Sequence, residues 1–260
     1  MNKPSISIIM PAKNREIEIK DTINSIINQT FKDWELIVID DHSTDKTAEI
    51  IKNYKNPKIK YYYLLNGTGP GAARDFGIKK AQAEIIVLAD SDDINYPYRL
   101  EKTYQTFKKN PEINMVYSPI ERLEINGQKT LRPSQEFDPE LLWCYNYISQ
   151  PTVSFKKQAY LQVDGYDFAL RTSEDYDLWL QFLEKNCKFK LINEPLVSQK
   201  IHEKSTLLQT ELLKRKKNLA YVRKKHSLKT PDFENVKKLV QNKDLLELIS
   251  APGAIDFWFK

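Results

Sequence analysis

Short apolar runs alternate with helical patterns over the first 90 residues, and this alternation constrains the fold more than any other feature. The apolar runs cover residues 5–10, 35–39, 59–65 and 85–89, and each has the length of a buried strand. Residues 17–29, 44–54 and 72–81 between them have helical patterns. Since strands joined by helices pair in parallel, the pattern predicts an α/β fold with a mostly parallel central sheet flanked by helices.

The pattern loosens after residue 90. Asn126-Gly127 separates two extended runs, which is typical of a β-hairpin. Helical patterns follow over residues 141–147, 156–163 and 174–186, and beyond about residue 206 they are the only patterns. We therefore predict a first domain over residues 1–205 and a helical C-terminal extension over residues 206–260.

Three carboxylates follow the fourth apolar run, in the sequence LADSDD of residues 88–93. A parallel strand ends at the carboxyl edge of its sheet, where open α/β sheets bind ligands. Asp90, Asp92 and Asp93 would repel one another there unless a cation or hydrogen-bond donors held them. The sequence therefore predicts a divalent cation beside a nucleotide pocket, and hence chemistry on a diphosphate.

Two other predicted strands also end in polar loops. The first is followed by Pro11-Ala12-Lys13-Asn14-Arg15 and the second by Asp40-Asp41-His42-Ser43-Thr44-Asp45. Loops that follow parallel strands converge, so we expect one pocket whose oxygen ligands suit Mg²⁺ or Mn²⁺. In competing interpretations, Asp45 is only helix-terminal, with Ser43 or Thr44 as the helix cap, and Asp40 only orients its neighbour.

Composition limits the class of protein. With 260 residues, 41% of them hydrophobic, the chain can bury one large core. It has no apolar run of the roughly 20 residues that span a bilayer, and its first apolar run is too short for a signal peptide. Cys144 and Cys187 lack metal-ligand spacing, so we expect them to pack in the core. These features predict a cytoplasmic protein.

Positive charge is concentrated in residues 200–230, which hold ten Lys or Arg and only two acids. Three interpretations stay open: a solvated helix face, a peripheral contact with anionic lipid at the inner membrane face, and a nucleic-acid site. Because Tyr221 is the only aromatic residue there, we expect no nucleic acid. The membrane hypothesis also uses the apolar Phe257-Trp258-Phe259 end, whose competing interpretation is packing on the core.

Four motifs carry a family resemblance. SIIMPAKNR, ELIVIDDHSTDKT, GPGAARDFGIKKA and EIIVLADSDD resemble, in order and spacing, the family 2 glycosyltransferases, which have the GT-A fold. The similarity covers roughly residues 4–100 and continues more faintly through 165–180 and 201–206. Members move a sugar from a nucleoside-diphosphate sugar, usually of uridine or guanosine, to an acceptor hydroxyl. The resemblance implies a UDP-sugar donor, a glycan or lipid-linked glycan acceptor, an Mn²⁺ or Mg²⁺ cofactor, and a role in bacterial cell-surface glycan synthesis.

The resemblance also implies roles for individual residues. The nucleotide contacts are Pro11, Ala12, Asn14, Arg15, Asp41, Arg74, Asp90 and Ser91, with Asp41 at the base and Asp90 at the ribose or the metal shell. Asp92 is the direct metal ligand, and His202 approaches the metal or the diphosphate. Asp175 is the base that takes the acceptor's proton, so that one direct displacement inverts the anomeric carbon.

The roles of Asp92, His202 and Asp175 each have an alternative without function in binding or catalysis. Asp92 would otherwise be a turn acid and His202 a surface histidine. Asp175 opens a predicted helix, capped by Ser173, where a carboxylate also gains from the helix dipole without catalysis. If the register differs by one residue, the base is Glu174.

The chain departs from the family pattern at a few positions. Asp75 stands in place of a usual Asn and would add negative charge near the pocket. His42 replaces a common Gly, so its turn must accommodate a side chain, and Ala83 also replaces a Gly. The Gln-x-x-Arg-Trp motif of processive synthases is absent from the sequence, which predicts transfer of one sugar per encounter.

Two rival functions differ in class from a glycosyltransferase. Gly67-Thr-Gly69-Pro-Gly71-Ala72 opens a predicted helix and satisfies a loose dinucleotide-binding fingerprint, as in a Rossmann-type oxidoreductase. That fingerprint normally lies at the first strand–helix turn, whereas here two such units precede it. A non-catalytic nucleotide-sugar-binding protein is the other rival.

Overall fold

The computed structural model describes residues 3–201 and 211–259, in which eleven strands form two sheets. The strands are β1 Ile6–Ala12, β2 Trp34–Asp40, β3 Ile59–Tyr63, β4 Ile85–Leu88, β5 Ile94–Asn95, β6 Met115–Tyr117, β7 Ile120–Leu123, β8 Lys129–Arg132, β9 Ser154–Lys156, β10 Phe189–Leu191 and β11 Val197–Lys200. Seven of them form a central sheet in the order β10-β6-β9-β4-β1-β2-β3. Only β9 runs antiparallel to its neighbours, β4 and β6. The predicted mostly parallel sheet is confirmed.

Helices flank the central sheet. They are α1 Ile19–Ile27, α2 Thr47–Lys52, α3 Pro70–Lys80, α4 Arg99–Lys109, α5 Pro139–Cys144, α6 Lys157–Tyr160, α7 Glu174–Glu184, α8 Leu212–Lys225, α9 Phe233–Leu239, α10 Lys243–Ser250 and α11 Pro252–Trp258. Alternating residues of a strand point to opposite faces. Ile8 and Met10 therefore pack in one buried cluster with Ile23 of α1, and Ile9 packs in the other with Ile78 of α3. These two apolar layers fix the sheet between its helices.

Strand β1 extends two residues further than the predicted end at residue 10. Its pairing with β4 ends at Ile9 and Leu88, while its pairing with β2 continues to Ala12 and Asp40. Proline has no N–H to donate to a neighbouring strand. Because Pro11 lies beyond the last residue pair of β1 with β4, no hydrogen bond to β4 is lost there. The strand thus carries the first polar loop further out at the sheet edge.

The smaller sheet has the order β5-β11-β7-β8. Its antiparallel pair β7–β8 is the predicted hairpin, and Gly127 has the positive φ of 81° that such a turn requires. Strand β11 pairs parallel with β7 and antiparallel with β5, the short strand that follows the LADSDD motif. This sheet thereby brings residues distant in sequence to the same edge as the acidic loop.

The predicted helix caps are wrong. Helix α2 begins at Thr47, where the carboxylate of Asp45 accepts from the Thr47 amide at 2.9 Å. Asp45 is therefore helix-terminal, as its competing interpretation had it, and neither Ser43 nor Thr44 caps the helix. Ser173 precedes α7 but has φ 65°, not the extended conformation of a capping residue, and its side chain makes no cap hydrogen bond.

The segment after residue 210 is helical, as predicted, and packs on the protein. Leu219, Val222 and Ile249 are buried in the same cluster as Ile9. The rings of Phe257, Trp258 and Phe259 also pack against that cluster, with the centroid of Trp258 4.8 Å from that of Tyr145. This packing favours the competing interpretation of the aromatic end. Lipid contact by the extension stays a prediction, as does the boundary between residues 205 and 206. Among the described residues, no helix is both long and apolar enough to cross a membrane.

Candidate active site

A cleft of about 930 Å³ opens at the carboxyl edge of the central sheet, large enough for a nucleotide-sized ligand. Ten of the eleven predicted site residues line it: Pro11, Ala12, Asn14, Arg15, Asp41, Arg74, Asp90, Ser91, Asp92 and Asp175. The eleventh, His202, lies outside the described residues, so its role stays a prediction. The convergence of strand-end loops that the sequence predicted is therefore present.

The loops after β1 and β2 are tied to each other. The side-chain Oδ1 of Asn14 accepts from the backbone amide of Thr44 at 2.8 Å. Asn14 itself has a left-handed φ of 53°. The Arg15 amide donates to Thr47 Oγ1 at 2.7 Å.

Within the turn after β2, Asp40 orients its neighbours by accepting from the Ser43 amide at 2.8 Å, and His42 has a φ of 64°. The turn that lost its usual Gly thus keeps a glycine-like conformation.

Asp41 organises the loop before α3. Its carboxylate accepts from the amides of Thr68 at 2.6 Å and Gly69 at 2.9 Å. Gly69 has φ 93°, a backbone conformation that residues with a side chain rarely adopt, so glycine is favoured at this position. The amides that a dinucleotide phosphate would contact at this helix start are bound to Asp41 instead, which argues against the oxidoreductase alternative.

Arginines hold the acidic cluster that the sequence predicted to need a cation or hydrogen-bond donors. Nη2 of Arg74 lies 2.6 Å from Asp90, and Nε of Arg15 lies 3.2 Å from Asp92. Buried Arg99 donates to the carbonyl of Leu88 at 2.6 Å, directly below the cluster. Arg99 was not predicted from the sequence, because its position in α4 gives no sign that it reaches the end of β4.

Asp93 lies where a further negative charge is unfavourable. Burial, followed by the charges of Asp92 and Asp90, raises the pKa of Asp93 well above its ordinary value. In the described part of the chain its Oδ2 is buried and has no hydrogen-bond partner. A divalent cation on Asp92 would relieve this repulsion, so the residues present fit the predicted metal.

Asp175 lines the opposite part of the cleft, at the start of α7. Its Oδ2 accepts from Nδ2 of Asn146 at 3.2 Å, and its Oδ1 accepts from the Tyr176 amide at 2.7 Å. Burial is the main cause that raises its pKa, and a higher pKa makes a carboxylate a stronger base. Burial also raises the pKa of the neighbouring Glu174, to about 7. Glu174 differs from Asp175 in being ion-paired with Nη1 of Arg74 at 3.3 Å.

Asp75 does not add its charge to the cleft as predicted. It accepts from the hydroxyl of Tyr160 at 3.0 Å and pairs with Lys79 at 2.7 Å. Helical geometry turns this side of α3 away from the cleft, while Arg74 on the same helix faces it.

Several basic side chains line the cleft that the sequence analysis did not identify. They come from the hairpin, from the loop before α7, from β11 and from α8, and they are Arg122, Arg132, Arg171, Lys200 and Arg215. The basic excess of residues 200–230 includes Lys200 and Arg215, whereas no sequence signal indicated Arg122, Arg132 or Arg171. A positive lining of this kind suits anionic ligands.

Comparisons with known proteins agree with this geometry. Residues 7–169 match the profile described as "Glycosyl transferase family 2". An "Uncharacterized glycosyltransferase" of Haemophilus influenzae is 32% identical over 235 residues, which are 86% of this chain and 78% of the relative. The "O-antigen biosynthesis glycosyltransferase WbnJ" of Escherichia coli is 34% identical over 209 residues, 77% of this chain and 81% of the relative.

A solved structure confirms the predicted GT-A-like fold. S. aureus TarS 1-349 in complex with UDP-GlcNAc aligns with a TM-score of 0.69 at 18% sequence identity. The alignment covers 94% of this chain and 72% of that chain. At this level of identity the likeness concerns the fold alone.

Proposed function

Because this chain belongs to glycosyl transferase family 2, and is therefore a glycosyltransferase, we propose that it moves one sugar from a UDP-sugar to a hydroxyl of a glycan or lipid-linked glycan. The observation that carries the proposal is the cleft that joins the acidic loop of Asp90 and Asp92 to Asp175. The relative WbnJ, named for O-antigen biosynthesis, supports a product in cell-surface polysaccharide synthesis.

The donor would bind at the edge formed by β1, β2 and β4. TarS binds UDP-GlcNAc and UDP in its solved structures, which supports a uridine nucleotide here. The Asn14–Arg15 loop would border the base and ribose, and Asp41 would contribute by holding the loop at Gly69 and by facing the base. Arg74 would fix Asp90 toward the ribose or the metal shell, since their ion pair sets the carboxylate's position.

A divalent cation, Mn²⁺ or Mg²⁺, would be held by Asp92, with His202 as a second ligand. Among residues 3–201 and 211–259 no group of three His, Cys, Asp or Glu is arranged as a metal cluster. Magnesium is commonly bound by one or two carboxylates together with substrate phosphates, so one described carboxylate fits a site that the donor completes. When bound, the cation would neutralise the charge that develops on the departing diphosphate.

Asp175 would act as the general base. Its hydrogen bond from Asn146 fixes the carboxylate, and the raised pKa favours proton removal from the acceptor hydroxyl as it attacks. Attack on the face opposite the leaving diphosphate would invert the anomeric carbon. The ion pair of Glu174 with Arg74 favours a supporting role for that residue.

A thermal-shift panel tests the proposed donor. UDP-sugars should raise the melting temperature more than GDP-sugars, and Mn²⁺ should increase the effect, because a ligand at 100 times its Kd stabilises the folded state by about 2.7 kcal/mol. Stabilisation by GDP-sugars alone would overturn the uridine assignment, and stabilisation by none of the donors would overturn the proposed function.

Turnover separates an enzyme from a binding protein. With labelled UDP-sugar, the proposed enzyme releases UDP and transfers or hydrolyses the sugar. Tight binding of the donor with no UDP release in the presence of membrane glycolipids would instead support the non-catalytic alternative.

A further inference from the structure

Two arginines from the hairpin lie side by side at the Asp175 end of the cleft. Arg122 is in β7 and Arg132 is in β8, and both line the cavity. Arg215 of α8 lies at the same cavity with its guanidinium 4.8 Å from the centroid of Phe257. Neither hairpin arginine is among the residues proposed to hold the donor, although the charge of Arg132 acts to lower the pKa of Asp175.

Arg122 and Arg132 differ in their partners from the two arginines of the donor side of the cleft, Arg15 and Arg74. Arg15 and Arg74 are each ion-paired with carboxylates of the cleft. By contrast, the described residues provide no carboxylate in ion-pair contact with Arg122 or Arg132, and Nε of Arg122 is buried there without a hydrogen-bond partner. Arg132 donates to the carbonyl of Asn146 at 3.4 Å.

Within the described residues the charge of this pair is only partly compensated, since Glu124 and Asp93 favour the charged form of Arg122 but no carboxylate is in ion-pair contact with it. Burial, and then the like charge of Arg132, lowers the pKa of Arg122 to about 10. Two cations in a half-buried position are stabilised by an anion placed between them, and the guanidinium fork matches the oxygens of phosphate or carboxylate. The hairpin thus presents a preformed anion site.

The location of the pair connects it to the acceptor side of the reaction. Arg132 bonds to the carbonyl of Asn146, and the side chain of Asn146 bonds to Asp175. The pair is therefore linked through one residue to the proposed base, whereas the strand-end loops proposed to hold the donor carry their own ion pairs.

We propose that Arg122 and Arg132 bind a phosphate or carboxylate group of the acceptor, so that the acceptor is an anionic glycan or a sugar phosphate on a lipid. This inference rests on the proposed function. The anion would anchor the acceptor while its hydroxyl meets Asp175, and the pair would select against neutral acceptors.

Binding of small probes to the full chain, saturated with UDP, tests the proposal. Glucose 6-phosphate and glucuronate supply the two anions, and glucose is the neutral control; affinities are measured by calorimetry or by ligand-observed NMR. The unmodified protein should bind one of the two anions at least about tenfold more tightly than glucose, because hydrogen bonds from a guanidinium to an anion are stronger than those to a neutral hydroxyl. The probe that binds more tightly identifies phosphate or carboxylate as the acceptor group.

Variants test whether Arg122 and Arg132 cause the preference for an anionic probe over glucose. Arg122→Gln with Arg132→Gln should abolish it while changing UDP affinity less than about twofold. Arg122→Lys with Arg132→Lys keeps the charge and should retain part of the preference. Lys129→Gln is the matched control. It removes one positive charge from β8, the strand of Arg132, at an exposed position outside the cleft.

Three results would overturn the inference. The first is equal affinity of the unmodified protein for glucose and both anions, which needs no variant to fold. The second is a preference that survives in the double Gln variant. The third is a large loss of UDP affinity in that variant, which would assign the pair to the donor diphosphate. Failure of the unmodified protein to bind UDP would instead contradict the proposed function, so the two failures are distinguishable.

Discussion

His226 joins the C-terminal extension to the helix that carries Asp175, and its replacement should destabilise the protein in a pH-dependent way. Its Nε2 lies 3.0 Å from Oδ1 of Asp177, and its Nδ1 lies 2.7 Å from Oε1 of Glu184. Burial opposes the charged imidazole, but the hydrogen bonds to the two carboxylates outweigh it and raise the pKa of His226. The protonated ring is therefore the form that the folded state prefers.

The magnitude follows from the exposure of the two partners. Asp177 is fully buried, so its bond to the imidazolium counts at about 2 kcal/mol. The Glu184 side chain is 44% exposed, so its bond adds less than about 1 kcal/mol. His226→Gln keeps the size and loses the charge, and we expect it to lower the free energy of unfolding by about 2–3 kcal/mol at pH 6.

The sign of the pH dependence is set by the raised pKa. The contribution is complete below the unfolded-state pKa of about 6.5 and is lost as the pH rises through the higher folded-state value. The loss caused by His226→Gln should therefore be smaller at pH 9 than at pH 6. Urea unfolding at both pH values measures it.

His42→Asn is the matched control. It removes a histidine from an exposed turn, and Asn tolerates the left-handed φ of that position, so we expect a change below about 0.5 kcal/mol. An equal loss for His226→Gln at both pH values, or a loss no larger than that of the control, would refute the reasoning.

Three further predictions concern the cleft and the surface. Arg74→Met removes the shared partner of two cleft carboxylates and should lower the urea midpoint by the equivalent of about 3 kcal/mol; a loss below about 1 kcal/mol would contradict the ion pairs. Asp92→Ala should abolish the Mn²⁺-dependent part of stabilisation by UDP in thermal melts while the metal-free melt stays unchanged, and intact metal dependence would rule out Asp92 as the essential ligand. Lys214→Gln with Lys217→Gln should weaken co-sedimentation with anionic vesicles, since each lysine near such a surface contributes about 1 kcal/mol; equal pelleting of the unmodified protein with neutral vesicles would end the membrane hypothesis.

Local patterns in the sequence were sufficient to predict the first four strands, their helices and the hairpin. Ile8 and Ile9 show why, since alternation along a buried strand and helical spacing in its neighbours are both local properties. The cleft followed for the same reason, because the loops after Met10, Ile39 and Leu88 belong to neighbouring parallel strands.

Long-range pairing was not predictable from these patterns. The short strand β9 enters the central sheet between β4 and β6 in antiparallel orientation, and three residues carry no detectable period. Arg122 and Arg132 reach the cleft, and Arg99 the end of β4, only because the chain returns there. An isolated arginine in a sequence is typical of a solvated surface. The packing of Trp258 on Tyr145 likewise depends on tertiary contacts.

The central claim is that Asp175 removes the acceptor's proton while other residues hold the donor, and a pair of isosteric variants tests it most directly. Asp175→Asn cannot accept that proton but keeps the size of the side chain, so UDP-sugar affinity should persist. General-base catalysis contributes about a hundred- to ten-thousand-fold, and the transfer rate should fall by that factor. Glu174→Gln should cost much less.

The measurement is the single-turnover rate of sugar transfer, compared with the donor's Kd, for both variants and the unmodified protein. The account predicts a loss in rate without a loss in affinity for Asp175→Asn alone. A near-normal rate in Asp175→Asn, or a collapse confined to Glu174→Gln, would contradict it.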